Sequence, residues 1–282
     1  MASETLMLGA VAYDPKVVTI WEGFRAWFAK RDLDFDFVLY SNYEAQVEAH
    51  FHGDFHVAWN SPLAWLEALR AAPLRGRRAE AIAMRDSDQD LQSLVLVRAD
   101  SGLNKPVDLA GKRVGVGAPD SPQATLIPLL FLAECGLEPG RDFEVVRHDV
   151  LVGKHGDHIG GERDAVRALA LGQIDAACVI DGNHLLFARE GLVTPGALRV
   201  VAQTGKYDHC NFTILDDAPK ARIDRFRELL LSMSYDDPEV RPLLDLEGLK
   251  AWRPGRTSGY ALLERAVDRF EYLDAWLARM KP

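Results

Sequence analysis

Cysteine is scarce in this chain. Three residues in 282, Cys135, Cys178 and Cys210, are odd in number and widely spaced, which excludes a disulfide framework and suits a reducing compartment. Runs of lysine or arginine are missing too. With a formal net charge of -9, nothing resembles the basic footprint of a nucleic-acid-binding protein, so no nucleic-acid partner is expected. The longest apolar stretches, such as TLIPLLFLAECGL at 125–137, fall short of the roughly 20 residues that span a bilayer, so no membrane insertion is expected. The opening MASETLMLGAVAYDP has neither a basic segment nor a long apolar one. The sequence therefore predicts no signal peptide and, with Met1 as the native start, a cytoplasmic protein; a leader already removed would make it periplasmic. Low-complexity segments and short repeats are absent. So are a nucleophile elbow and a phosphate loop, and VGVGAP lacks the third glycine and the later acid of a dinucleotide site.

What is present is an ordinary globular composition, 48% hydrophobic and 27% charged, with β-rich runs alternating with helical periods. That alternation predicts an α/β protein with mixed, mostly parallel sheets flanked by helices. LMLGAVAY reads as a first strand, followed by a helix carrying Val18, Trp21, Phe24, Arg25 and Phe28 at helical spacing. DFDFVLYS is a strand, YEAQVEAHF a helix, and FHVAWNS a strand ending at a helix led by Pro62. QSLVLVRAD and KRVGVG are strands, and a helix is expected over 123–135. DFEVVRHDV, a helix over 162–172, DAACVID, the helix GNHLLFAREG and two strands within LRVVAQTGKYDHCNFTIL follow, before a mostly helical end. Trp21, Trp27, Phe28, Trp59 and Trp65 stand at core-like spacing.

Three stretches resemble a known family. SNYEAQVEAHFHGDFHVAWNSPLAW, NKPVDLAGKRVGVGAPDSP and GGERDAVRALALGQIDAACV are similar, in order, to segments of the phosphate/phosphonate branch of the type 2 periplasmic binding proteins, the substrate-binding components of ABC transporters. The resemblance spans roughly 6–215. It implies a two-lobed fold, with lobe one at 1–97 plus 208–282, lobe two at 98–207, and LVLVRAD and TGKYDHCNF as hinge strands. It also implies a cleft that binds a small anion or carboxylate, and an ABC permease as partner if the protein is exported. Ligands of such sheets sit beyond the carboxyl ends of strands, near helix N-termini. The ligand candidates are therefore Tyr13, Tyr43, Asn60, Ser61, Ser121, Gln123, His155, His158, Asp181 and His209.

The chain departs from the family in two places. The family's Ser-Thr-Ser-Gly anion loop is here Ser121-Pro122-Gln123-Ala124, with one hydroxyl kept and a proline that cannot donate, which favours a carboxylate or smaller polar ligand over a dianion. Where the family has one histidine, this chain has HGDHIGGE at 155–162. His155, His158 and Glu162, with His209 as a fourth, have ligand types that suit a divalent metal, zinc or iron. The same loop equally fits one histidine on the ligand and Glu162 as an acid favoured in a first helical turn, or a plain connector.

In a hinge strand side chains alternate, so only one of His209 and Cys210 is expected to face the ligand, and His209 is the choice. Cys178 and Cys210 read as buried small hydrophobes. His50 and His52 read as helix-end imidazoles suited to the dipole, and His56 as a strand residue. Two functions fit. One is a solute-binding protein of the phosphonate/phosphate type. The alternative is a cytoplasmic enzyme on the same fold, a metal- or histidine-dependent decarboxylase, lyase or synthase acting on a small carboxylated substrate.

Overall fold

The computed structural model describes residues 5–149 and 159–280. The chain divides into two units, Met1–Gln89 with Asp208–Tyr260 and Leu273–Pro282, and Asp90–Tyr207 with Ala261–Tyr272.

In the first unit, β1 (Leu6–Val11), α1 (Lys16–Ala29), β2 (Phe35–Tyr40), α2 (Tyr43–His52), β3 (Val57–Asn60) and α3 (Pro62–Leu74) alternate as the pattern predicts, and β4 (Ala79–Arg85) follows. The turns into the helices are locally encoded. The Asn42 side chain accepts from Ala45 N–H at 2.8 Å to cap α2, and Ser61 accepts from Ala64 N–H at 3.2 Å to cap α3, whose first residue is proline. On α1 the buried face is Val17, Ile20, Trp21, Phe24, Trp27 and Phe28; Val18, expected on that face, is 46% exposed.

The second unit holds β5 (Ser93–Arg98), β6 (Arg113–Val116), a π turn at Pro122–Leu126 running into α4 (Ile127–Glu134), β7 (Glu144–Arg147), α5 (Ile159–Ala170), β8 (Ala176–Ile180), α6 (Asp181–Arg189) and β9 (Leu198–Gln203). The chain then returns to the first unit with β10 (Asn211–Leu215), α7 (Lys220–Ser232), α8 (Arg241–Glu247) and β11 (Trp252–Pro254). It adds α9 (Ala261–Arg269) to the second unit and closes with α10 (Asp274–Met280) in the first.

Both sheets are mixed. The first has the order β11-β4-β10-β3-β1-β2, with β10 antiparallel to both of its neighbours. The second has the order β7-β6-β8-β5-β9, with β5 antiparallel to β8 and β9. That pairing corrects the expected lobe boundary. Residues 90–97, read as lobe one, belong to the second unit because β5 is hydrogen-bonded on both edges there, and α9 joins it by packing on α4. Two strands, β4 and β11, fall outside the runs that the sequence pattern picked out.

The first unit's core is aromatic. Phe212 on β10 lies 4.7 Å from the Trp59 ring, 5.2 Å from both Phe226 and Trp252, and 6.0 Å from Trp21, mostly edge-on or tilted as ring quadrupoles prefer. The second unit's core is aliphatic, built on Val95, Val97, Val114, Val116, Leu129 and Leu132 below one sheet face, and on Leu94, Leu96, Val166 and Leu169 on the other. Among the described residues no helix is long and apolar enough to cross a membrane.

Candidate functional site

Within each unit the candidates gather at the carboxyl edge of the sheet. In the first unit Tyr13 follows β1, Tyr43 opens α2 after β2, Asn60 and Ser61 end β3, and His209 precedes β10, which enters that edge from the opposite direction. In the second unit Ser121 and Gln123 follow β6, and Asp181 follows β8. His155 and His158 lie outside the described residues.

Arg85, at the end of β4, organises the first unit's edge. Its Nε and Nη2 donate to the two Asp88 oxygens at 2.5 and 2.9 Å. Its Nη1 donates to the Glu247 backbone oxygen at 2.9 Å and carboxylate at 3.2 Å, while the guanidinium lies 5.2 Å from the Trp59 ring. Two buried carboxylates thus share one guanidinium, and they do not share it equally. Burial works against ionising Asp88, but the Arg85 charge and the His209 contact outweigh it and hold its pKa at about 2. For Glu247 burial wins over the longer Arg85 contact, and Asp88 adds repulsion, so its pKa rises to about 7.

His209 meets Asp88 Oδ1 at 3.5 Å and Cys210 Sγ at 3.1 Å, both through Nδ1. Burial opposes its charge; Cys210 and Asp88 more than offset that and raise its pKa to about 10. The contact with Cys210 corrects the expectation that the two would face apart. Residues 208–210 precede β10 in irregular backbone, where strict alternation does not hold. Beside them Arg256 grips both oxygens of Asp208 at 2.6 Å, and Gly259 lies against that carboxylate where any side chain would collide. Tyr13 and Tyr43 complete the surroundings. Burial raises both phenol pKa values, with Glu247 next in effect for Tyr13 and Cys210 for Tyr43.

Asn60 is committed elsewhere. Gln46 donates to its oxygen at 2.7 Å and its amide donates to Thr213 at 2.9 Å. Thr213 donates to Asn211 at 2.7 Å, Asn211 to Tyr260 at 2.8 Å, and Tyr260 to the His209 backbone oxygen at 2.7 Å. Five hydrogen bonds therefore run in one direction through a buried row. Ser61 is the cap of α3 described above.

The second unit's edge is built around the π turn. Ser121 is fully buried and accepts from Ala124 N–H at 3.1 Å, capping the turn. Ser93 donates to the Gln123 backbone oxygen at 2.6 Å and accepts from Tyr207 at 2.8 Å. The Gln123 side chain is buried, and its Oε1 has no hydrogen-bond partner. Asp181 accepts from Gly182 N–H at 2.7 Å. Glu162, expected as a ligand or a helix-start acid, is fully buried and accepts from Ile180 N–H at 2.9 Å and from Asn183 at 3.0 Å, which ties α5 to the start of α6. The start of α5 also packs tightly. A Cβ on Gly161 would stand 2.5 Å from the His148 backbone oxygen and 3.5 Å from Gly117 Cα.

His52 ends α2 as read, whereas the other two HFHGDFH histidines differ from their reading. His50 is buried and stacked 4.7 Å from the Phe55 ring, and burial lowers its pKa to about 4, so it is a neutral imidazole and not a helix-end cation. His56 lies just before β3 and accepts from Met7 N–H at 2.9 Å. With Asp217 and Arg222 these two line a cavity of about 340 Å³.

Arg85, Asp88, Glu247, Gln46, Asn211 and Tyr260 were not singled out from the sequence. The available signal was weak: an arginine ending AEAIAMR ahead of the acidic DSDQD.

A family model described as the ABC transporter, phosphonate, periplasmic substrate-binding protein matches residues 10–260. Among solved structures the chain is similar to PhnD1 from Prochlorococcus marinus in complex with methylphosphonate, with TM-score 0.71 and 18% identity over 95% of this chain and 98% of that one. It is similar to XAC2383 from Xanthomonas citri bound to chloride, with TM-score 0.69 and 18% identity over 95% and 100%. It is also similar to the periplasmic aliphatic sulphonate binding protein SsuA from Escherichia coli, with TM-score 0.60 and 15% identity over 100% and 94%.

Proposed function

Because the chain belongs to the phosphonate-binding family of ABC-transporter substrate-binding proteins, which bind small anions, we propose that it captures a phosphonate or carboxylate at the second unit's carboxyl edge and passes it to an ABC permease. The observation that carries this reading is that β7, β6 and β8 are adjacent and parallel, so that the helices following them, α5, the π turn and α6, start at one edge of the sheet. Helix N-termini present N–H groups and positive dipole ends, which favour an anion's charged head. Ser121 brings a hydroxyl to one of those starts, whereas the Asp181 carboxylate at another is an acceptor, held by Gly182 N–H, that offers an anion no donor. The Gln123 side chain lies in the same turn, and its unpartnered Oε1 is an acceptor suited to the hydroxyl of a singly protonated phosphonate head. In the first unit Asn60 is occupied by the fold. Pro122 removes one donor from the π turn, which favours a singly charged head over a dianion. The family's setting is the periplasm, and we assign this protein there as well. The enzyme reading gains nothing from these findings.

Charge reversal tests the location. Gln123→Glu keeps the size of the side chain but sets a carboxylate against the incoming anion, and it is expected to lower affinity for methylphosphonate or acetate by at least tenfold. Ser121→Ala is expected to weaken binding and to cost about 1 kcal/mol of stability through the lost cap. Affinities within twofold of wild type in both variants, read by calorimetric titration, would place the anion elsewhere.

A further inference from the structure

We propose that Asp88, His209 and Cys210 form a binding site for one divalent cation of zinc type, where the chain leaves the first unit and where it re-enters it. Asp88 lies one residue before the exit at Gln89, and His209 and Cys210 follow the return at Asp208. One ligand atom from each of the three side chains lies within 4.8 Å of the other two. The individual spacings are telling. Nδ1 of His209 stands 3.1 Å from Cys210 Sγ and 3.5 Å from Asp88 Oδ1. A tetrahedral zinc ion with sulfur at about 2.3 Å and nitrogen or oxygen at about 2.0–2.1 Å separates neighbouring ligand atoms by about 3.3–3.6 Å. Two edges of one tetrahedral face therefore stand within a few tenths of an ångström of their final length. Among the described residues no other three such side chains gather as closely.

The donor set selects the ion. A thiolate and an imidazole suit zinc or cobalt, and they exclude magnesium and calcium, which are bound by oxygen. Three protein ligands leave a fourth position open to water or an anion.

The ligands are also held from behind, as metal ligands usually are. Arg85 fixes both oxygens of Asp88, the His209 N–H donates to the Asp88 backbone oxygen at 2.8 Å, and Tyr260 donates to the His209 backbone oxygen. The Asp208 N–H donates to the Gly259 oxygen at 2.9 Å, so a third chain segment, which itself departs after Tyr260, joins the same knot. Arg85 is a cation beside the site, but it is already shared between Asp88 and Glu247, and the cluster keeps an acid in excess of it. A bound cation would pin the outgoing and returning segments together, and by linkage it would stabilise the folded protein.

Cobalt(II) is the probe, titrated into chelator-treated full-length protein carrying Cys135→Ala and Cys178→Ala, so that any thiolate-to-cobalt absorption can come only from Cys210. The expected result is one cobalt per chain, an intense near-ultraviolet thiolate band, and its displacement by zinc with a rise in Tm. Adding His209→Ala is expected to weaken cobalt binding at least tenfold. Absence of stoichiometric binding, binding without the thiolate band, or binding that His209→Ala leaves within twofold would each overturn the proposal. Cobalt that is lost only on replacing His155 and His158 would overturn it too, in favour of the glycine-rich loop.

Discussion

At position 50 an imidazole is buried against Phe55, and that single placement sets a pH dependence. The folded protein holds His50 neutral with a pKa of about 4, while the unfolded chain takes up a proton near the ordinary histidine value of about 6.5. The unfolded state therefore binds more protons between those values. Stability is retained above about pH 6.5, falls as pH drops toward about 4, and levels off below, by up to a few kcal/mol. Glu247, with its pKa of about 7 in the fold, contributes the opposite slope over much of that range, so the His50 share is read as a difference. In urea unfolding from pH 7 to pH 4, His50→Leu should lose less stability on acidification than the wild type, and an unchanged slope in the variant would remove His50 as a contributor. Gly161 is a second residue-scale case. Because its missing Cβ would strike the His148 backbone oxygen, Gly161→Ala should cost about 1–3 kcal/mol, measured by chemical denaturation. A variant as stable as the wild type would show that α5 can shift at its start.

Elements were legible wherever their signals were local. The helical period of YEAQVEAHF and the proline at 62 announce α2 and α3, and the alternating apolar runs announce most strands. The polar row from Gln46 to Tyr260 was not legible, since it joins α2, β3, β10 and the segment before α9 across long sequence separations. The Arg85 cluster was hidden for the same reason, because Glu247 is 162 residues away from Arg85. His209 was chosen for its chemistry, yet its contact with Cys210 depends on a break in strand geometry that the composition of TGKYDHCNF does not betray. Thr213→Val tests the polar row. It keeps the shape of the side chain but leaves the Asn60 amide without its acceptor and Asn211 without its donor, so a loss of about 1–3 kcal/mol is expected. Stability equal to wild type in thermal unfolding would mean that the row re-forms around the methyl group.

At the scale of the whole molecule, the order of three motif-bearing stretches identified the binding-protein family, and the match over 10–260 bears that out. The boundary after residue 97 did not survive, because β5 reads as a generic apolar strand and only its pairing with β8 and β9 assigns it to the second unit. The central claim is that this chain is a one-site receptor for a small anion, and it is most directly tested by isothermal titration of ligand-stripped protein with methylphosphonate, ethanesulfonate, phosphate and acetate in turn. The account predicts saturable binding of at least one of these anions with a stoichiometry of one per chain. Heats no larger than dilution for all four would contradict it.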